Sequence, residues 1–274
     1  MSNHFEGLGD KWRLLIDNPE KELPGLAEMV ATNGGTREAW KHTSSVYETV
    51  LMAYPPDQPL RGAIVVQGEP EKEVKLKTIC PLMEGVPNDM TIEDVYPWKS
   101  RVEGAVSARR NEDGEPVWFY SPMLFRDRDD LTPGVRQTIL LSGLAMGMRR
   151  ALLDEMSITA GPDYEEHAAR WLADHPDKTR LDVPQITIPL SGARLLQAAR
   201  NTCEYQLRAP ITSVQETVFG PQKVYMLHLR FGLNTENPLD IMVYAPERAC
   251  ANYVPHADDE IDAHIWLQGR MLDV

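Results

Sequence analysis

The C-terminal end of the chain carries the feature that most limits its fold. The sequence closes with "DDEIDAHIWLQGRMLDV", so Trp266 and Leu267 form an apolar run a few residues from the end, just after a cluster of acidic residues. Chain ends are usually polar and mobile unless they are tied into the structure. An exposed indole there would also create an apolar patch of a kind that soluble proteins avoid. We therefore expect Trp266 and Leu267 to be core residues of a terminal β-strand.

A second copy of this pattern occurs earlier in the chain. The patterns "VWFYSP…TILLSG" in residues 98–143 and "IMVYAP…HIWLQG" in residues 226–269 both predict a hairpin, a tyrosine two residues before a proline, a loop and an apolar strand. Tyr120 and Tyr244 occupy matching positions. The repeated order of elements indicates an internal duplication, with chance similarity between short strands as the alternative.

The predicted fold class is α+β, with a short helical N-terminal layer followed by two duplicated β-rich units. An OB-like small barrel, of the oligonucleotide/oligosaccharide-binding type, fits this pattern, and other small barrels and sandwiches fit it equally well. Four segments are predicted: an N-terminal helical segment at 1–55, a first β-rich unit at 56–157, a helical connector at 158–182 and a second β-rich unit at 183–274.

Helical periodicity supports several local predictions. Apolar residues at helical spacing predict a helix over residues 36–54, and the stretch "SGARLLQAARN" predicts another short one. The segment "TILLSGLAMGMRRALLDEM" predicts a strand that continues into a helix at Leu144 or later. Pro162 suits the start of a helix in the connector, and His175 followed by a proline suits its end. Hairpin turns are predicted at "NEDG" and "NTEN".

The C-terminal run resembles a known signature. The ending "YVPHADDEIDAHIWLQGRML" is similar to the closing run of a family of bacterial proteins of unknown function, which tends to end in a "GD-x-x-I-x-G-x-x-WLQG"-like sequence. The resemblance covers about the last ninety residues and departs from the signature at Ala257 and Ala263, where glycines are expected. It implies a closing β-strand and no particular activity.

Composition excludes some classes of function. The formal net charge of −13 means that the whole molecule repels polyanions and anionic membrane surfaces, which argues against a dedicated nucleic-acid or lipid binder. No stretch approaches the roughly 18 consecutive apolar residues of a membrane-spanning helix. Residues 1–30 also lack the apolar core of a signal peptide. We therefore expect a soluble, cytoplasmic protein that contacts no membrane.

Sequence motifs for catalysis are not found. The three cysteines are far apart and contain no CxxC pair, so we expect partly buried free thiols rather than a disulfide framework or a zinc site. No GxSxG, GxxxxGK[ST], GxGxxG or HExxH motif occurs, and Ser142, Ser191 and Cys203 are weak candidates for a nucleophile. We expect no cofactor.

One histidine-rich stretch raises the question of a metal site. The stretch "HADDEIDAH" combines imidazole and carboxylate groups, which suit a divalent transition metal. The candidate ligands are His256, Asp258, Asp259 and His264. The alternative is a solvated acidic loop, and the sequence favours it, because in a strand His264 shares a face with Asp262 and Trp266 and the loop residues must fold back to reach it.

Residues 98–150 carry more basic than acidic side chains, against the charge of the whole chain. Arginines interleaved with aromatic residues resemble a stacking platform for single-stranded nucleic acid. The alternative is that the aromatic residues are core and the arginines lie at its rim. The candidate groove residues are Arg109, Arg110, Trp118, Tyr120, Arg126 and Arg128.

Two functions remain open. The sequence favours a non-enzymatic binding or assembly module whose ligand is a protein, including a second copy of the chain, or a single-stranded nucleic acid. The net charge disfavours the nucleic acid. The alternative is an enzyme whose catalytic residues are scattered over loops without a recognisable motif.

Overall fold

The computed structural model describes residues 8–34, 36–40, 46–69, 73–110, 114–153, 155–189, 192–198, 202–232 and 238–272. This part of the chain is mostly β-sheet with a few short helices. It divides into two compact units, Met1–Arg150 with Ala193–Val274, and Ala151–Gly192. The four-part division predicted above follows composition rather than contacts, and it stays a prediction.

The first unit begins with two helices and a four-stranded antiparallel sheet. The helices are α1 (Gly9–Trp12) and α2 (Pro19–Asn33). The strands are β1 (Thr36–Trp40), β2 (Glu48–Tyr54), β3 (Leu60–Gly68) and β4 (Lys75–Met83), and they lie in the order β1-β2-β3-β4. Trp12 and Leu15 are buried against this sheet, and the Trp12 indole N–H donates to the carbonyl of Ile79 at 3.2 Å.

The helix predicted for residues 36–54 is wrong, because β1 and β2 occupy its two ends. Its apolar residues have helical spacing, yet Leu51 and Ala53 also alternate along one face of a strand and are buried there. The neighbouring β3 is buried over most of its length and pairs with β2 from Glu48 to Tyr54. Ladder pairing and burial therefore outweigh the intrinsic preference of the segment.

The chain then enters a larger sheet through β5 (Val86–Pro97), β6 (Gly104–Arg109), β7 (Val117–Ser121) and β8 (Arg136–Arg150), with the short helix α3 (Leu124–Asp127) before β8. The hairpin of β6 and β7 confirms the predicted pairing of these two segments. The turn predicted at "NEDG" and the one predicted at "NTEN" fall largely outside the described residues.

The second unit consists of a two-stranded antiparallel sheet and a helix. Its elements are β9 (Glu155–Ile158), α4 (Pro162–Asp174), a 3-10 turn at Arg180–Asp182 and β10 (Ile186–Pro189). Tyr164, Ala168 and Val183 form its small core. The helix begins with a proline and ends before His175, which confirms the predicted helix in residues 158–182 and both of its ends.

The remaining strands complete a nine-stranded sheet in the first unit. They are β11 (Arg194–Gln197), β12 (Glu204–Phe219), β13 (Gln222–Phe231), β14 (Leu239–Pro246) and β15 (Glu260–Met271), with a 3-10 turn at Glu247–Ala249. The order is β11-β12-β13-β14-β8-β15-β7-β6-β5, and β12 also pairs with β15 as β5 does with β8. The long strands β8 and β15 run antiparallel at the centre.

Two further helix predictions are wrong. The strand β8 does not turn into a helix near Leu144 but continues to Arg150, and "RLLQ" in "SGARLLQAARN" is the edge strand β11. Gly143 and Gly147 weaken a helix in the first segment, and β15 and β14 pair with β8 on both sides. Pairing with β12 fixes β11.

The two segments that the sequence matched follow the same order of elements. The first runs β6, β7, α3, β8, and the second runs β13, β14, the Glu247–Ala249 turn, β15. In each, the first two strands form an antiparallel hairpin. Strand β7 pairs in parallel with β15, and β14 pairs in parallel with β8.

The position of Trp266 confirms that it is a core residue of a terminal strand. Its side chain is 4% exposed and that of Leu267 is fully buried. Trp266 packs in the cluster that also contains Trp12, Tyr120 and Tyr244. Among the described residues, no helix has both the length and the hydrophobicity needed to cross a bilayer.

Candidate functional site

A pocket of about 600 Å³ opens in the first unit where β8, β15 and β12 run side by side. Its polar lining residues come from these strands and not from loops, so their backbone positions are fixed by the ladder hydrogen bonds. The lining residues are Gly147, Met148, Arg149, Gln206, Leu207, Ala249, Ala251, Asp262, Ala263 and His264.

Strand register arranges the polar residues of the pocket in two rows. Asp262 of β15 lies opposite Arg208 of β12 on one side and Arg149 of β8 on the other. In the next row, His264 lies between Gln206 and Gly147. Residues two apart on a strand share a face, so the two rows form one continuous polar surface.

In the first row, two guanidinium groups share one carboxylate. Arg208 binds Asp262 in bidentate fashion, with Nε 2.7 Å from Oδ1 and Nη2 2.9 Å from Oδ2. Arg149 Nη2 lies 3.7 Å from Oδ2. The Arg208 side chain is 11% exposed and that of Arg149 is 69% exposed. Arg208 therefore serves as the buried partner of Asp262, while Arg149 remains accessible at the rim.

The second row is tied to the N-terminal helix through a carboxylate. His264 Nε2 lies 3.3 Å from Oε2 of Glu204, and Oε1 of the same carboxylate pairs with the ammonium group of Lys11 in α1. The contact between His264 and Glu204 lacks hydrogen-bond geometry. Lys11 is almost fully buried. Glu204 thus lies beside the imidazole and neutralises a buried cation.

A β-bulge makes room for the pocket. His264 pairs with Gly147 but the next residue, Ile265, pairs with Ala145, so Met146 is the extra residue of β8. Bulges re-aim side chains and are frequent beside functional sites. A Cβ added at Gly147 would meet nothing within 4 Å. The glycine therefore leaves open space directly beside the imidazole of His264.

Of the four predicted metal ligands, the structure brings His256 and Asp259 close together. Asp259 accepts a hydrogen bond from the Tyr253 hydroxyl at 2.8 Å and pairs with Arg150 at 3.1 Å. Asp258 is exposed, and the imidazole of His256 lies 3.5 Å from Asp259. In the part of the chain that the structure describes, no three His, Cys, Asp or Glu side chains are placed to hold a metal ion. His264 instead faces Glu204, which is a correction of the predicted set.

The loop before β15 is exposed at residues 256–258, and the next residue, Asp259, is half-buried. The Tyr253 hydroxyl, and after it Arg150, hold the pKa of Asp259 below its ordinary value. Asp262 is bound by Arg208 within the sheet. Asp258 is exposed in the loop, whereas Tyr253 and Arg150 bind the carboxylate of Asp259.

The six predicted groove residues have varied surroundings. Tyr120 is fully buried, so its ring offers no surface for a base to stack on, and this part of the prediction is corrected. Trp118 is half-buried, and its backbone N–H donates to the Tyr205 hydroxyl at 2.6 Å. Arg110 donates to the side-chain carbonyl of Asn88, and burial lowers the pKa of its guanidinium.

The other three arginines of the predicted groove pair with carboxylates. Arg109 Nε lies 2.6 Å from Glu93, and Arg128 Nε lies 3.5 Å from Asp129. Arg126 pairs with Asp127 and also donates to the carbonyl of Met271 at 3.3 Å. A nucleic-acid groove over these residues and Trp118 stays a prediction.

A buried polar cluster explains the position of Tyr120. Its hydroxyl donates to Glu103, which also accepts hydrogen bonds from Thr78 at 2.9 Å and Ser100 at 3.1 Å. Burial, and after it the nearby Cys80 and Glu103, raise the pKa of Tyr120 well above its ordinary value. Thr78 belongs to β4 and Tyr120 to β7, so the cluster connects the two sheets of the first unit.

The three cysteines are free and buried, as the sequence predicts. Burial raises the pKa of the Cys80 and Cys203 thiols and raises the pKa of Cys250 to about 11. The thiolate is the reactive form of cysteine. All three are therefore structural thiols at neutral pH.

Sequence reasoning missed most of the pocket. Glu204, Gln206 and Arg208 alternate along β12, where their partners on β15 are Trp266, His264 and Asp262. This alternation of polar residues in "CEYQLRAP" is a signal that they share a face. The pairing of β12 with β15 across the chain is set by tertiary structure.

Comparison of the chain with protein families, curated proteins and solved structures finds no match.

Proposed function

We propose that the chain is a non-enzymatic binding or assembly module that takes a protein ligand at the pocket of β8, β12 and β15. The observation that carries this proposal is the pair of polar rows, in which Arg149, Gln206, Asp262 and His264 are fixed by strand register around an open space. Fixed polar groups around an open cavity favour recognition of a partner with little reorganisation.

Charge favours a protein over a nucleic acid. The net charge of −13 repels a polyanion at long range. Asp262 and Glu204 add carboxylates at the pocket itself. A single-stranded nucleic acid needs a groove of positive potential along its backbone, whereas a protein segment can meet both signs of charge in one site.

The proposal includes a framework of two duplicated β units with OB-like character. The repeated order of a hairpin, a short helical turn and a long strand supports the duplication. Tyr120 and Tyr244, which the sequence matched, are both fully buried in one cluster. In the two matched runs, "TILLSG" and "HIWLQG", Ser142 and Gln268 occupy the same position, just before the final glycine. These two residues lie opposite each other in the β8–β15 ladder.

The test blocks the pocket without removing a polar group. A random peptide library displayed on phage is selected against the wild-type protein, and the enriched peptides are measured by fluorescence anisotropy. Gly147→Leu places a side chain in the open space beside His264. Gly25→Leu is the matched control, since Gly25 also has open space for a Cβ and lies in α2.

We expect the peptides to bind the wild type and Gly25→Leu alike and to lose at least about tenfold in affinity for Gly147→Leu, a loss of roughly 1.4 kcal/mol. Failure to enrich any peptide that distinguishes the two glycine variants contradicts a protein-binding pocket. Tighter binding of a labelled 20-nucleotide oligothymidine, lost in Gly147→Leu, would replace the protein ligand with a nucleic acid.

One observation favours the enzyme alternative. The Glu204 carboxylate lies 3.3 Å from the His264 imidazole beside the pocket, and histidine is the most common general base in enzymes. The test is hydrolysis of p-nitrophenyl acetate by the wild type and by His264→Gln. Saturable turnover that the variant lacks would favour the enzyme, and equal background rates for both proteins would favour the binding module.

A further inference from the structure

We infer that the pocket recognises a carboxylate group of its ligand, an acidic side chain or a C-terminus, with Arg149 as the residue that binds it. This inference rests on the proposed protein-binding function and specifies the chemistry of the partner. It follows from the charge balance of the pocket, from the exposure of Arg149 and from the donors that surround the open space at Gly147.

Ion pairs at and beside the pocket join five charged side chains. Glu204 and Asp262 supply two negative charges, and Lys11, Arg149 and Arg208 supply three positive ones. Among these five side chains a single positive charge is therefore in excess, in a chain whose net charge is strongly negative. An excess cation in a concave site that faces solvent is suited to an anionic ligand.

The excess charge lies on Arg149. Lys11 is almost fully buried against Glu204, and Arg208 holds both oxygens of Asp262 at hydrogen-bond distance. Arg149 is 3.7 Å from Asp262, which is beyond hydrogen-bond distance, and 69% of its side chain is exposed. Its guanidinium therefore keeps N–H donors for a ligand at the pocket rim.

The size of the excess charge selects the kind of anion. A carboxylate carries one negative charge and matches the planar guanidinium in bidentate geometry. A phosphate group carries about −1.5 to −2 at neutral pH, and Asp262 and Glu204 repel the additional charge. The side-chain amide of Gln206, in the row beside Arg149, supplies a further donor to a carboxylate.

The test uses acetate as the probe. Backbone amide resonances of the full chain are followed by NMR while sodium acetate replaces sodium chloride at constant ionic strength, and a second titration uses inorganic phosphate. Arg149→Gln removes the proposed ligand-binding cation. Arg150→Gln is the matched control, since Arg150 is the next residue, is similarly exposed at 65% and pairs with Asp259 instead.

We expect saturable shifts at Gly147, Gln206 and His264 with acetate, a dissociation constant at least about tenfold weaker in Arg149→Gln, and less than a twofold change in Arg150→Gln. Equal acetate binding by wild type and Arg149→Gln, or tighter binding of phosphate than of acetate, overturns the inference. If library peptides still depend on Gly147 while acetate gives no saturable shift, the carboxylate inference fails and the protein-binding proposal stands.

Discussion

Tyr120 and Trp266 pack ring against ring in the core, with centroids 5.0 Å apart and planes inclined by 30°. Tyr120 also packs against Trp98, again at 5.0 Å between centroids. Trp98 and Tyr120 lie close together in the sequence, before β8, whereas Trp266 lies in the last strand, β15. Strand β15 therefore completes a cluster of three rings whose other two members lie much earlier in the sequence.

Replacement of Trp266 by alanine is expected to cost roughly 3–5 kcal/mol of unfolding free energy, the range for truncation of a large buried aromatic residue. Denaturant unfolding with fluorescence or circular dichroism detection measures it. Trp266→Phe, which keeps a ring against Tyr120, should lose clearly less. An alanine variant with an unchanged midpoint would show that the indole contributes nothing to the core.

The side chain of Gln268 binds two backbone groups at the end of β4, so we expect its loss to lower the free energy of unfolding. Its side-chain carbonyl accepts a hydrogen bond from the Met83 backbone N–H at 2.9 Å, and its amide donates to the Pro81 carbonyl at 2.8 Å. Gln268→Leu leaves both backbone groups buried without a partner, which costs about 1–3 kcal/mol for each group. Gln215→Leu, at an exposed position of β12, is the control and should change stability little.

Equal stability of Gln268→Leu and the wild type would contradict this role. Gln268→Glu provides a second comparison, because a carboxylate keeps the acceptor for Met83 but loses the donor to Pro81 and buries a charge. It should therefore be destabilised at least as much as the leucine variant at neutral pH.

Strands were easier to predict from this sequence than helices. The runs "VWFYSP", "TILLSG", "IMVYAP" and "HIWLQG" are short and apolar, and they lie in β7, β8, β14 and β15. The failures at residues 36–54 and after Leu144 share one cause. Each segment has helical spacing of apolar residues, but long-range pairing with strands distant in sequence decides its structure.

Acid should weaken the anchoring of the loop before β15. The folded-state pKa of Asp259 lies below its ordinary value of 3.8, so the carboxylate contributes stability that is present above that pH and is lost as the pH falls through the lower folded value. Asp259→Asn should lower the thermal midpoint by roughly 2 °C at pH 6, as expected for a surface ion pair in a chain of this size. The difference from wild type should shrink below pH 3.8.

The control for this experiment is Asp258→Asn, since Asp258 is the exposed neighbour. Its midpoint should follow the wild type over the whole pH range. A difference between Asp259→Asn and the wild type that grows as the pH falls would contradict the sign of the shift.

The cysteines should be unreactive in the native protein. Burial raises the pKa of all three thiols, to about 11 for Cys250, so little thiolate is present at pH 8. Treatment with a disulfide reagent such as DTNB is expected to label no thiol within minutes in the native state and all three in guanidinium chloride. Rapid labelling of one thiol in the native protein would locate an exposed, activated cysteine.

The candidate site was only partly predictable. Asp262 and His264 stood out because they occur in an acidic, histidine-containing run, and their common face follows from strand periodicity. Their partners Glu204 and Arg208 are far away in sequence, and no local pattern links them. The bulge at Met146 depends on the register of β8 against β15, which the sequence of one strand does not encode.

The carboxylate of Glu204 has one oxygen on Lys11 and the other toward His264. Lys11, early in the sequence, and His264, late in it, therefore contact the same carboxylate. Displacement of α1 would separate Lys11 from Glu204, leave this carboxylate beside the histidine alone and change the electrostatics of the pocket. Binding measurements on this protein are therefore sensitive to any change that displaces α1.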